Sequence, residues 1–153
     1  MENDPESDRI EIRAVITEYN VGGDLRSVSR LASTFAPDGV LVTPGFGDGP
    51  VSYTGPKEIR AKLRSARKGR TGVDRPMQLS RHHQTTCEIT VESPEQASAV
   101  TYFLHISEIG LDHSGVYIDK FRKIDGVWKI AHRKVRIDWV AENGHSRLTR
   151  PGQ

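Results

Sequence analysis

The sequence predicts an α+β fold in which three N-terminal helices pack on a curved antiparallel sheet. Three observations carry it: apolar residues at helical spacing in the first third, long β-rich runs after about residue 78, and an Asp125-Gly126 pair between the last two runs. Asp-Gly is among the strongest short hairpin signals, because both central positions of a type I′ turn need positive φ. The chain therefore closes with a hairpin of Val116–Lys123 against Val127–Val140. Helices followed by antiparallel strands point to helices covering one face of one sheet.

The elements follow in order. Asp8 reads as a cap with Glu11 three residues on, and Ile12, Val15, Ile16 and Tyr19 then share a helical face. Gly22-Gly23 reads as the end of that helix. Val28, Leu31, Ala32 and Phe35 mark a second helix, and Pro37-Asp38-Gly39 turns the chain into a strand at Val40–Thr43. A glycine-rich loop runs from Gly45 to Pro50, with a short strand at Val51–Tyr53. Gly55-Pro56 opens a third helix, buried through Ile59 and Leu63, and Gly69 to Pro76 is a basic loop. Four β segments follow at about 78–92, 97–107, 116–123 and 127–140, with Ser93-Pro94 separating the first two.

The 153 residues suit one domain with a real core. It is expected over residues 9–142, between a disordered segment 1–8 and a flexible tail 143–153. The net charge of +2 makes no case for nucleic acid. No apolar run approaches the roughly 20 residues of a membrane helix, and the acidic start is unlike a signal peptide. Cys87 stands alone, so no internal disulfide is expected and the cytoplasm is the expected compartment.

Chemistry-bearing residues each carry a bland reading beside the functional one. Tyr19 and Asp24 are five residues apart, about 500° around a continuous helix. A break at Gly22-Gly23 would let a loop place Asp24 at the rim of a pocket lined by Tyr19. Equally, Tyr19 reads as a core aromatic and Asp24 as the N-cap of the second helix. In Arg81-His82-His83, alternation sends the two histidines to opposite faces, one towards the helices, where it serves as an acid or base or as a core histidine. Two further histidines are His105, in the second long strand, and His113, before the hairpin. On the last strand His132, Lys134, Arg136 and Asp138 share one face and Val135, Ile137 and Trp139 the other, while Tyr117, Asp119 and Phe121 share a face of the strand before. The polar set reads as solvent-facing unless a bulge swaps the faces.

No histidine pair has the His-x-x-x-His spacing of a helical zinc site. Glu142 and His145 fall in the tail. A metal would need tertiary assembly, and none is expected. The basic cluster Lys57, Arg60, Lys62, Arg64, Arg67, Lys68, Arg70 and Arg75 lacks aromatic neighbours for base stacking, which favours a solvated face.

The order of these segments resembles the nuclear transport factor 2-like fold, in its SnoaL-like branch. The residues that carry the resemblance are Tyr19–Asp24, Leu31 to Gly39, Gly55-Pro56, Arg81-His82-His83, Gly115 to Asp119, Ile124 to Ile130, and Arg133 to Trp139. It implies a cone-shaped domain around a cavity and, by similarity to scytalone dehydratase and bile acid dehydratase, cofactor-free acid–base chemistry on a small, largely apolar cyclic substrate. Isomerases, cyclases, epoxide hydrolases and structural dioxygenase small subunits share the fold, so a non-catalytic ligand-binding or subunit-like module is the alternative. The resemblance implies Tyr19, Asp24 and His82 as catalytic residues: His82 moving a proton, Asp24 holding the imidazole and favouring its charged form, and Tyr19 donating to an oxyanion. Arg136 and His105 are the implied substrate contacts, and Tyr117, on a strand face that would line the cavity if it turns inward, is a further candidate contact. A tyrosine directly precedes the aspartate in scytalone dehydratase, whereas Gly23 stands there in this chain, so the bile acid dehydratase arrangement is the closer match. A homodimer or higher homo-oligomer through the sheet is also implied.

Overall fold

The computed structural model describes residues 4–45, 49–68 and 79–144. Its elements are α1 (Pro5–Asp24), α2 (Val28–Ala32), β1 (Phe35–Thr43), β2 (Val51–Thr54), α3 (Gly55–Lys68), β3 (Arg81–Ser93), β4 (Gln96–Ser107), β5 (Gly110–Ile124) and β6 (Val127–Val140). The strands form one open, curved sheet in the order β2-β1-β6-β5-β4-β3. The three helices pack on one face, giving the cone-shaped α+β fold that the sequence predicts. Every neighbouring pair is antiparallel except β1 with β6, which is parallel.

The core lies between that face and the helices, where Ile12 and Ile16 of α1, Leu31, Phe35, Ile59, Trp128 and Ile130 are buried together. Asp4, not Asp8, caps α1, accepting from the Glu6 N–H at 3.0 Å. Asp8 lies a turn further in, buried, where it accepts from Trp128 Nε1 at 2.9 Å and Lys123 Nζ at 2.5 Å. That contact ties α1 to the final hairpin. Pro5 to Asp8 therefore belong to the fold, which begins earlier than residue 9; residues 1–3 and 145–153, and the basic loop of Gly69 to Pro76, lie outside the described residues.

The glycine pair does not end α1. The helix continues to Asp24, and Gly22 serves a close approach: a Cβ there would stand 2.7 Å from the Leu31 backbone N. Asp24 is thus the last residue of α1, while Ser27 occupies the N-cap position of α2. The predicted Asp125-Gly126 turn is present, with φ of 49° and 77°.

Register shifts decide which side chains face the helices. Lys120 pairs with His132 but Phe121 with Ile130, so Ala131 is an extra residue on β6. Ser114 pairs with Trp139 but Gly115 with Ile137, so Asp138 is a second. On β5, His113 pairs with His105 but Leu111 with Ile106, leaving Asp112 extra. Such bulges re-aim side chains without ending the ladder.

Candidate active site

Three histidines sit side by side across the sheet. His82 of β3 pairs with His105 of β4, which pairs with His113 of β5. The ring centroids are 4.5 Å apart for His82 and His105 and 4.6 Å apart for His105 and His113. Alternation explains His82 and His105, while His83 points to solvent.

Asp24 reaches this row from the end of α1. Its Oδ1 lies 2.6 Å from His82 Nδ1, and its Oδ2 accepts from the His82 backbone N–H at 2.9 Å. A carboxylate at the negative end of a helix is disfavoured by the dipole, so the pairing offsets that cost. Burial acts against the Asp24 anion, but the side-chain and backbone bonds from His82 outweigh it and hold the pKa below the usual aspartate range. The two-point grip fixes the ring, with Nδ1 presenting its hydrogen to Asp24. Nε2 is left with no hydrogen bond among the described residues.

Tyr19 points elsewhere, since a continuous helix puts it about 140° from Asp24. Its ring packs edge-on against Phe35 and Tyr117 and lies over the Arg133 guanidinium, 4.1 Å from Cζ to centroid. Tyr117 covers the guanidinium too, at 4.4 Å. Arg133 is fully buried and grips Asp119 with two bonds, Nε to Oδ1 at 2.8 Å and Nη2 to Oδ2 at 2.6 Å. Burial raises the Tyr19 pKa, and the positive charge of Arg133 only partly opposes it. Tyr117 is raised well above the ordinary value by burial first and Tyr19 second. Both hydroxyls therefore stay protonated and able to donate.

Arg136 is not in this assembly. It lies on the outer face, exposed, and pairs with Asp138 at 2.7 Å. The inward arginine of β6 is Arg133, which sequence reasoning missed although it alternates with the apolar Val135 and Ile137. Trp139 departs from the predicted face because Asp138 bulges, and it turns outward.

His105 is buried. Its Nε2 is 2.9 Å from Ser80 Oγ, and its Nδ1, 3.8 Å from Asp112 Oδ1, has no hydrogen-bond partner among the described residues. Burial, then the charges of His82 and His113, lower its pKa to about 3, so it is neutral near neutral pH. Asp112 Oδ1 is 2.8 Å from His113 Nδ1, and the β5 bulge is what turns both consecutive residues inward. Sequence alternation has no signal for that pair. The ligand atoms of His105, Asp112 and His113 lie within 4.8 Å of one another, so these are the residues that could hold a metal ion.

A pocket of about 270 Å³ opens beside the row, lined by Tyr19, Asn20, His82, Phe103, His113 and Tyr117, with Leu31, Tyr53, Leu63, Val135 and Ile137 among the apolar walls. Two imidazoles and three tyrosines thus share a mostly apolar wall, the kind of site that holds small organic ligands.

A family model described as a SnoaL-like domain matches residues 6–134, and the chain belongs to that family. Among solved structures it is similar to the hexachlorocyclohexane dehydrochlorinase LinA-type3 of Novosphingobium barchaimii LL02, with a TM-score of 0.75, 20% identity, and 99% of this chain and 100% of that one covered. A protein provisionally assigned as a scytalone dehydratase, from Novosphingobium aromaticivorans DSM 12444, aligns at 0.73 with 20% identity over 100% and 99% of the two chains. A dioxygenase β subunit, also a provisional assignment in that organism, aligns at 0.71 with 15% identity over 90% and 93%. At these identities the likeness establishes the fold. No curated protein matches the sequence. Among the described residues no helix is long and apolar enough to cross a membrane.

Proposed function

We propose that this chain is a cofactor-independent acid–base enzyme, of dehydratase or isomerase type, acting on a small, largely apolar cyclic substrate in the pocket beside His82. The observation that carries the reading is the two-point grip of Asp24 on His82, 2.6 Å at the ring and 2.9 Å at the backbone. A ring held at Nδ1 has Nε2 left for substrate, and the carboxylate stabilises the imidazolium that forms when Nε2 takes a proton.

The step is removal of a proton from a carbon next to a carbonyl, followed by return of that proton to another carbon or to a departing hydroxyl. Negative charge grows on the carbonyl oxygen. Tyr19 and Tyr117 line the pocket as protonated hydroxyls, and Arg133 behind their rings adds a fixed positive charge in a low-dielectric setting. Arg133 acts here through the tyrosines as a positioning residue. Arg136 has no part in this chemistry.

The dehydrochlorinase and dehydratase assignments of similar structures fit an elimination, which needs the same base. The test is deuterium exchange at the α-carbons of cyclic ketones in D2O, followed by NMR, with dehydration of their β-hydroxy derivatives followed by absorbance. Wild type should accelerate at least one of these, and His82→Ala should lose about 10²–10⁴-fold. Equal rates for His82→Ala and wild type would favour the binding-module reading.

The domain is further proposed to self-associate through the outer sheet face. Tyr102, Leu104 and Trp139 stand exposed there, with Val100 and Ile118 beside them on adjoining rows. A contiguous apolar patch of this kind marks an interaction surface.

A further inference from the structure

We infer that Asn20 is the specificity residue of this pocket, and that its side-chain amide selects a cyclic substrate carrying a carbonyl and a nearby hydroxyl. The inference rests on the proposed pocket being the substrate site and names the substrate class that the site would take.

Asn20 follows Tyr19 and lies one helical turn before Asp24, so α1 aims it at the pocket from the same side as the His82 partner. It is buried, and neither Oδ1 nor Nδ2 has a hydrogen-bond partner among the described residues. Buried amides are almost always paired in folded proteins, so an exception calls for a cause. The pocket it lines is mostly apolar, with Leu31, Leu63, Val135 and Ile137 in the wall and Lys62 beside them, and such a setting makes an unpaired amide costly in the empty protein.

A folding role does not account for that arrangement, because leucine would fill the same space without the penalty. A ligand does. The amide offers one acceptor oxygen and two donor hydrogens. A carbonyl accepting from Nδ2 and a hydroxyl donating to Oδ1 would satisfy both ends. A hydrocarbon or halocarbon ring would leave both unpaired. A site built to hydrogen-bond a substrate rejects the analogue that lacks the group far more strongly than an apolar wall rejects an added methylene.

The test uses Asn20→Leu and three probes: cyclohexanone, its β-hydroxy derivative, and cyclohexane as the apolar control. Binding is followed in wild type by NMR of the Asn20 side-chain amide, assigned by its absence from the variant. The hydroxy ketone should bind wild type most tightly and shift the Asn20 amide signals. Asn20→Leu should weaken that binding by about 5–150-fold, from the usual cost of leaving a partner unpaired, and leave cyclohexane binding unchanged or tighter. The empty variant should melt higher, by about 2–8 °C, since two unpaired polar groups are removed.

The inference is overturned if the hydroxy ketone leaves the wild-type Asn20 amide signals in place, if the variant weakens all probes equally, or if the variant melts lower. Wild-type binding with the predicted selectivity but no turnover would remove the enzyme reading and keep this one. Turnover of a cyclic ketone lacking the hydroxyl, unaffected by Asn20→Leu, would do the reverse.

Discussion

The Arg133–Asp119 pair offers the sharpest perturbation of the fold around the site. Both side chains are fully buried and joined by bonds of 2.8 and 2.6 Å, with Tyr19 and Tyr117 on the guanidinium faces. Replacing Arg133 with Met leaves a carboxylate stranded in the interior, a defect that costs about 3–5 kcal/mol. That is a large share of the roughly 5–15 kcal/mol that keeps a domain folded. Asp119→Leu strands the guanidinium and should cost a similar amount. Replacing both removes the two charges together, and such exchanges are close to neutral or stabilising by about 1–4 kcal/mol. Urea unfolding of the four proteins therefore predicts a double variant more stable than either single one. The double variant also loses the positive charge behind Tyr19, so it should be folded yet slower in the α-proton exchange assay. Single variants that each cost under about 1 kcal/mol, or a double variant whose loss is the sum of the two, would refute the reasoning.

Two further outcomes follow from particular groups. With its folded pKa lowered to about 3 against about 6.5 in an unfolded chain, His105 takes up a proton on unfolding below pH 6.5. The unfolded state binds more protons there, so stability falls as pH drops from about 6.5 towards 3, by about 1.4 kcal/mol per unit. Between pH 6.5 and 5 the wild type should lose about 2 kcal/mol more than His105→Gln in urea titrations, and matching pH dependences would remove the assignment. On the outer face, Trp139→Glu should shift sedimentation towards the monomer, and an unchanged profile would show that the apolar row is not the contact between copies.

Much of this architecture was legible because local signals agreed with the fold. The Asp125-Gly126 turn, the β6 limits of Val127 and Val140, and the helix face of Ile12 and Ile16 all follow from turn chemistry and periodicity. The Asp24–His82 contact was reachable only through the resemblance, because it joins residues 58 positions apart. The path proposed to it was wrong in one step: Gly22 reads as a helix terminator by propensity, but tertiary packing against Leu31 overrides that and keeps α1 whole. Bulges account for most of what stayed hidden. Asp112 joins His113 on the inner face, and Trp139 leaves it, each because one extra residue resets the alternation. The parallel pairing of β1 with β6 left no local trace, since it depends on where α1 and α2 deliver the chain. Arg133 was legible in hindsight of its neighbours alone: an arginine in step with Val135 and Ile137 belongs inside.

The central claim is that Asp24 holds His82 by Nδ1 and leaves Nε2 for chemistry. Long-range ¹H–¹⁵N NMR of the His82 ring tests it most directly. The account predicts a protonated Nδ1 in wild type and loss of that preference in Asp24→Ala. A bare Nδ1, with the only ring proton on Nε2, would contradict it.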